Sequence, residues 1–150
     1  GSTCSIRLSN EFIKDAKAYN ELSSLFEKYA KTLKFKLSFE VSDSFAIHNT
    51  LAVKEYVNLF LRYGIGFGIN SFTGESSDFT YLKQLTPTFL KADCAFLLDQ
   101  SQDSMGALQV VTDSLGIEII ATFVKNEEEL NKLFAMHINS VQGPVTDSIS

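Results

Sequence analysis

The feature that most constrains this chain is a regular alternation of short β-forming runs with segments of helical periodicity. Strands are predicted over residues 5–8, 35–41, 65–70, 89–93, 117–123 and 138–141. Between the first two runs, Ser9 or Asn10 can cap a long helix whose apolar positions (Phe12, Ala16, Tyr19, Leu22, Phe26, Tyr29 and Leu33) recur every three or four residues. A second helix is predicted over 50–63 and stopped by Gly64, and a short one over 79–84 ahead of Pro87. A third long helix, over 103–115, turns Met105, Leu108, Val111 and Leu115 inward and closes at Gly116. Asn126 caps a last helix that begins Glu127-Glu128-Glu129, where acidic side chains suit the helix dipole. Residues 72–78 form a polar, Gly-containing loop, and the tail from Gly143 to Ser150 carries turn residues. Strands separated by helices pair in parallel through right-handed crossovers. The expected class is therefore α/β, with about six parallel strands alternating with helices. The run at 117–123 is almost wholly apolar, as a strand covered on both faces would be.

With 150 residues, 45% of them hydrophobic and 21% charged, the chain has enough apolar material for a single globular domain and is not disordered in character. Its formal net charge is −5 and it has no basic cluster, which argues against a nucleic-acid partner. No apolar run approaches the roughly 20 residues needed to span a bilayer, so this segment is expected to make no membrane contact. Gly1-Ser2 reads as a tag remnant, which places the numbering inside a longer natural protein, one with room for an upstream sensor or membrane anchor. Cys4 and Cys94 lack metal-ligand spacing and are expected to be reduced thiols in a cytoplasmic protein. His48 and His137 stand alone in sequence and suit surface or capping roles.

Five segments and a closing dipeptide carry a family resemblance. Ile6-Arg7-Leu8-Ser9 stands where EAL domains have V-N-x-S, and Phe39-Glu40-Val41-Ser42-Asp43-Ser44 is similar to their L-E-I-T-E-S. Residues 69–77 resemble L-D-D-F-G-T-G-Y-S-S, one residue shorter and with Glu75 at the tyrosine position. Phe89-Leu90-Lys91-Ala92-Asp93 resembles I-L-K-I-D. Residues 115–128 resemble L-G-L-E-V-V-A-E-G-V-E-T-E-E, and Gln142-Gly143 matches the closing Q-G. In order and at compatible spacing, these segments correspond to the third through eighth strands of the family barrel. The strand that bears the E-A-L signature is not among them. The resemblance implies a partial or modified TIM-like (β/α) barrel, a fold that in complete form takes about 250 residues and eight strands.

EAL domains hydrolyse cyclic di-GMP with divalent metals, and barrel active sites lie at the C-terminal ends of the strands. Carried over by position, Glu40 retains a metal-binding glutamate. Arg7 replaces an asparagine ligand, Asn70 and Ser71 replace an aspartate pair, and Thr122 replaces a glutamate. Lys91, Asp93 and Gln142 are kept, and Asp43 stands for the glutamate that steadies the loop after the family's fifth strand. The corresponding site is Glu40, Asp43, Asn70, Ser71, Lys91, Asp93, Thr122 and Gln142. It has lost at least three carboxylates and gained a cation, a poor setting for two dications that repel one another. Glu40 is expected to pair with Lys91 or Arg7. Lys91 and Asp93 are two apart on one strand, point the same way and suit an ion pair. Phe67, Phe72, Phe79, Phe89, Phe96 and Phe123 read as core, with stacking on a ligand base as the second reading.

The expectation from sequence is a domain that is not an enzyme. It would use no metal or cofactor and act in cyclic di-GMP-type signalling through a protein partner or self-association. The other readings are a cyclic di-GMP receptor without hydrolysis and an active phosphodiesterase fragment. Receptor function ranks below protein interaction because the E-x-L-x-R segment of the family's first strand is missing. Six strands alone would leave an open edge, to be closed by upstream strands, by dimerisation or by the first helix.

Overall fold

The computed structural model describes residues 3–74 and 79–143. Strand β1 (Thr3–Arg7) is followed by helices α1 (Asn10–Lys14) and α2 (Ala16–Tyr29). Next come β2 (Lys36–Ser42), α3 (Asp43–His48), α4 (Thr50–Arg62) and β3 (Gly66–Asn70). The order continues with α5 (Thr80–Leu85), β4 (Phe89–Asp93), α6 (Cys94–Asp99) and α7 (Gln102–Leu115), and ends with β5 (Glu118–Thr122), α8 (Glu127–Ala135) and β6 (Ser140–Val141). The strands form one sheet in the order β1-β2-β3-β4-β5-β6, every pair parallel. This is the α/β arrangement the alternation predicts. Gly1-Ser2, residues 75–78 of the predicted loop and 144–150 of the predicted tail lie outside the described residues.

The helices cover the sheet with aromatic side chains. Val53, Tyr56, Val57 and Phe60 of α4 are buried. Phe60 stacks on Phe39 of β2 with ring centroids 4.8 Å apart, and Phe26 of α2 packs against both rings. Such offset pairs add to what their buried area alone contributes.

The long first helix expected from periodicity is instead two helices, broken at Asp15. The Asp15 backbone is extended, and its carboxylate accepts a hydrogen bond from the Lys17 backbone N–H at 2.9 Å, capping α2. An aspartate serves better as an N-cap than inside a helix, so the apolar period runs through a break that it does not report. Two short helices, α3 and α6, were not expected. Each starts directly at a strand end on a side-chain cap: Ser42 Oγ accepts from the Phe45 N–H at 3.3 Å, and Asp93 Oδ1 from the Ala95 N–H at 2.8 Å. Six residues are too few for helical periodicity to show.

Among the described residues β1 pairs only with β2, and β6 only with β5, so both edges of the sheet are open. Within the sheet, Gly68 of β3 faces the Phe89 ring of β4, and a Cβ at Gly68 would overlap that ring. Gly68→Ala is therefore expected to destabilise the fold by about 1–3 kcal/mol through overpacking. The added substitution Phe89→Leu should recover part of that loss. Urea denaturation of the two variants and the parent checks this, and an unchanged midpoint for Gly68→Ala contradicts it.

Candidate functional site

Because all six strands run the same way, their C-terminal ends deliver side chains to one edge of the sheet. A cleft of about 470 Å³ opens there. Six of the eight expected residues line it: Asn70, Ser71, Lys91, Asp93, Thr122 and Gln142. Arg7, Phe72, Phe96 and Phe123 also border it. Glu40 lies below the floor, in register with Arg7 of β1 and Gly68 of β3. Asp43 sits behind the wall. It is fully buried and accepts hydrogen bonds from the Tyr81 hydroxyl and from the Thr73 backbone N–H, the latter at 3.3 Å. It thereby ties the loop after β3 to α5.

Glu40 is 1% exposed. Lys91 Nζ donates to its Oε2 at 2.7 Å, and the Ser5 hydroxyl donates a short hydrogen bond to the same oxygen. Asn70 Nδ2 donates to Oε1 at 3.4 Å, and Arg7 Nε lies 3.9 Å from it. Burial by itself raises the Glu40 pKa, but the hydrogen bond and charge of Lys91, with the hydroxyl of Ser5 and the amide of Asn70, outweigh burial and hold it below its ordinary value. Sequence reasoning offered Lys91 or Arg7 as the partner. Both pair with Glu40: Lys91 makes the close contact at 2.7 Å, and Arg7 a looser one at 3.9 Å with its side chain 72% exposed. The role of Ser5 was not foreseen, because a serine in an edge strand carries no signal of its own.

Lys91 and Asp93 do not pair as expected. Lys91 turns to Glu40, and Asp93 spends Oδ1 on the cap of α6. That geometry bears on the divalent cations the resemblance implies. Both Glu40 oxygens are engaged by neighbours and one Asp93 oxygen by a backbone N–H. No group of three His, Cys, Asp or Glu side chains among the described residues is placed to hold a metal. The described residues do not by themselves fit a two-cation centre. Cys94 is buried, and burial followed by the nearby Glu129 and Asp93 carboxylates pushes its thiol pKa up, away from nucleophilic use.

Phe123 departs from expectation most. Phe67 and Phe72 are buried as a core reading requires, but Phe123 is 63% exposed at the rim of the cleft. Its backbone is left-handed, with φ of 60°, a conformation that costs a non-glycine residue about 1–2 kcal/mol. Its apolar character in sequence suggested an interior position, and the backbone turn at the end of β5 points it outward.

A parallel β/α sheet with a cleft at the carboxyl ends of its strands is the architecture of barrel-type α/β domains. The model of the EAL domain family matches residues 1–146, and the chain belongs to that family. It is 27% identical over 110 residues to cyclic di-GMP phosphodiesterase PdeB of Shewanella oneidensis, which covers 70% of this chain and 13% of PdeB. It is 25% identical over 112 residues to cyclic di-GMP phosphodiesterase PdeA of Borreliella burgdorferi, covering 71% of this chain and 17% of PdeA. Its fold matches that of the Vibrio cholerae LapD S helix-GGDEF-EAL protein bound to c-di-GMP, with a TM-score of 0.85 at 19% identity, over 97% of this chain and 36% of that one. The chain thus spans well under a fifth of the length of these curated relatives.

These relatives correct one expectation. The sequence reading took the chain to be no enzyme, whereas PdeB and PdeA are named as phosphodiesterases. The physical reason lies in what the carboxylate count covered. A barrel site is assembled from the ends of all its strands, so a deficit counted over six strands does not fix the charge of the whole site.

The Glu40–Lys91 pair makes a pH-dependent prediction. A carboxyl whose pKa is lowered in the folded state adds stability above the unfolded pKa, and that stability is lost as pH falls through the folded value. Lys91→Met removes the cation and leaves only the Ser5 hydroxyl and the Asn70 amide to oppose burial, so the Glu40 pKa should rise. At pH 7 the variant should lose about 3 kcal/mol, and the deficit should shrink as pH falls toward 4. Urea denaturation of both proteins at the two pH values checks this, and a deficit of equal size at both contradicts it.

Proposed function

We propose that the chain is the third-to-eighth-strand part of a cyclic di-GMP phosphodiesterase-type EAL domain, and that its strand-end cleft seats the dinucleotide. The observation that carries this reading is the charge layout of the cleft. Lys91 is neutralised from below by Glu40, while Arg7 stands largely exposed beside the same carboxylate and is left to meet a phosphodiester. Asn70, Thr122 and Gln142 add neutral hydrogen-bonding groups at the other strand ends. In this reading hydrolysis belongs to the complete domain, and the residues of this chain bind and orient the substrate. A cytoplasmic setting is part of this proposal; separately, no helix among the described residues is long and apolar enough to cross a membrane.

A second reading rests on the open edge of the sheet. Strand β1 offers an unpaired edge, and Ile6 and Phe35 near it are 42% and 41% exposed. Such an edge invites another strand, from upstream in a longer protein or from a second copy.

Isothermal titration of cyclic di-GMP into the purified chain, with and without magnesium, tests the first reading. A saturable heat with a micromolar constant is expected, and Arg7→Ala should weaken it about tenfold through loss of a charge-assisted contact. Chromatography of the same mixture reports turnover separately from binding. An absence of heat under both conditions rejects the cleft as the dinucleotide seat.

A further inference from the structure

Phe123 is placed against the usual preference of its type. Ala121 and Val124 nearby are 0% exposed, while the Phe123 ring stands out at the cleft rim. Two hydrogen bonds pin the backbone on either side. The Gln142 N–H donates to the Ala121 carbonyl at 2.8 Å, and the Val124 N–H donates to the Gln142 carbonyl at 3.1 Å. Gly143 then passes so close to Val124 that a Cβ at Gly143 would overlap the Val124 backbone. The turn bearing Phe123 is thereby clamped between β5 and the end of β6. Its left-handed φ is a conformation that glycine adopts freely, and glycine stands at this place in the family segment L-G-L-E-V-V-A-E-G-V-E-T-E-E. Neither the backbone nor the core calls for an aromatic ring here.

The ring does share a cleft with two cations, Arg7 and Lys91. A flat apolar surface beside cations complements a ligand with a flat base next to a phosphate. We propose that Phe123 is a stacking platform for a purine base of the dinucleotide held in the strand-end cleft. This inference rests on the dinucleotide reading above and adds a specificity-determining residue to it. Since the turn is held by hydrogen bonds on both sides, the ring is oriented before the ligand arrives, which lowers the entropy lost on binding.

The chain contains no tryptophan, so Phe123→Trp places a single fluorescent reporter at the rim. Cyclic di-GMP should quench that emission on saturation, with affinity within about threefold of the parent. Phe123→Gly should bind about 5- to 100-fold more weakly, the range that loss of one base–aromatic stack corresponds to, while its thermal midpoint stays level or rises as the left-handed strain is relieved. Phe123→Leu keeps the apolar bulk without the ring and should also bind more weakly. If the parent binds and the Gly and Leu variants bind equally well, the stacking role is overturned and the dinucleotide reading stands. If the parent does not bind at all, both fall together.

Discussion

The structure depends on one buried carboxylate. Glu40 lies on β2, and its two oxygens gather Ser5 from β1, Asn70 from β3 and Lys91 from β4. A charge this deep is tolerable only with a cation and further donors in place. Meeting that requirement ties four neighbouring strands together at their carboxyl ends, where the sheet must also hold a cleft open. The pair has a second effect. It takes up most of the charge of Lys91 and leaves Arg7, one strand further out, as the exposed cation of the site. Fold stability and the electrostatic character of the cleft therefore rest on the same carboxylate.

Around this floor the walls are fixed by local bonds. Asp43 holds the loop after β3 through Thr73 and Tyr81, and Asp93 caps α6 at the end of β4. The β5–β6 side is held by the hydrogen bonds that flank Phe123. Glu40, Asp43 and Asp93 each make contacts that hold the strand ends and the loops after them in place. Membership of the EAL family is independent of those contacts, since it follows from a match along nearly the whole chain. The relatives named as phosphodiesterases are several times longer, and in the proposed reading their chemistry belongs to the complete barrel.

Much of the fold was legible because periodicity is a property of whole segments. The β-forming runs at 35–41 and 117–123 and the helical spacing from Ala52 to Tyr63 survive any local irregularity. Local irregularity was what escaped. The break at Asp15 depends on one carboxylate choosing a backbone N–H, and the two six-residue helices are shorter than the pattern that would reveal them. The site followed the same division. Position along the strands placed Asn70, Ser71, Lys91, Asp93, Thr122 and Gln142 at one cleft. Which of them would pair depended on side-chain reach, so the Lys91–Asp93 pair gave way to Lys91–Glu40. Phe123 was illegible because hydrophobicity predicts burial, and only the backbone turn shows the ring facing outward.

The most direct test of the account is a crystal structure of the chain grown with cyclic di-GMP. The account predicts the dinucleotide above the Glu40–Lys91 floor, with a phosphodiester within hydrogen-bonding distance of Arg7 and one guanine parallel to the Phe123 ring. Dinucleotide density elsewhere on the molecule, with the strand-end cleft holding only solvent, would contradict it.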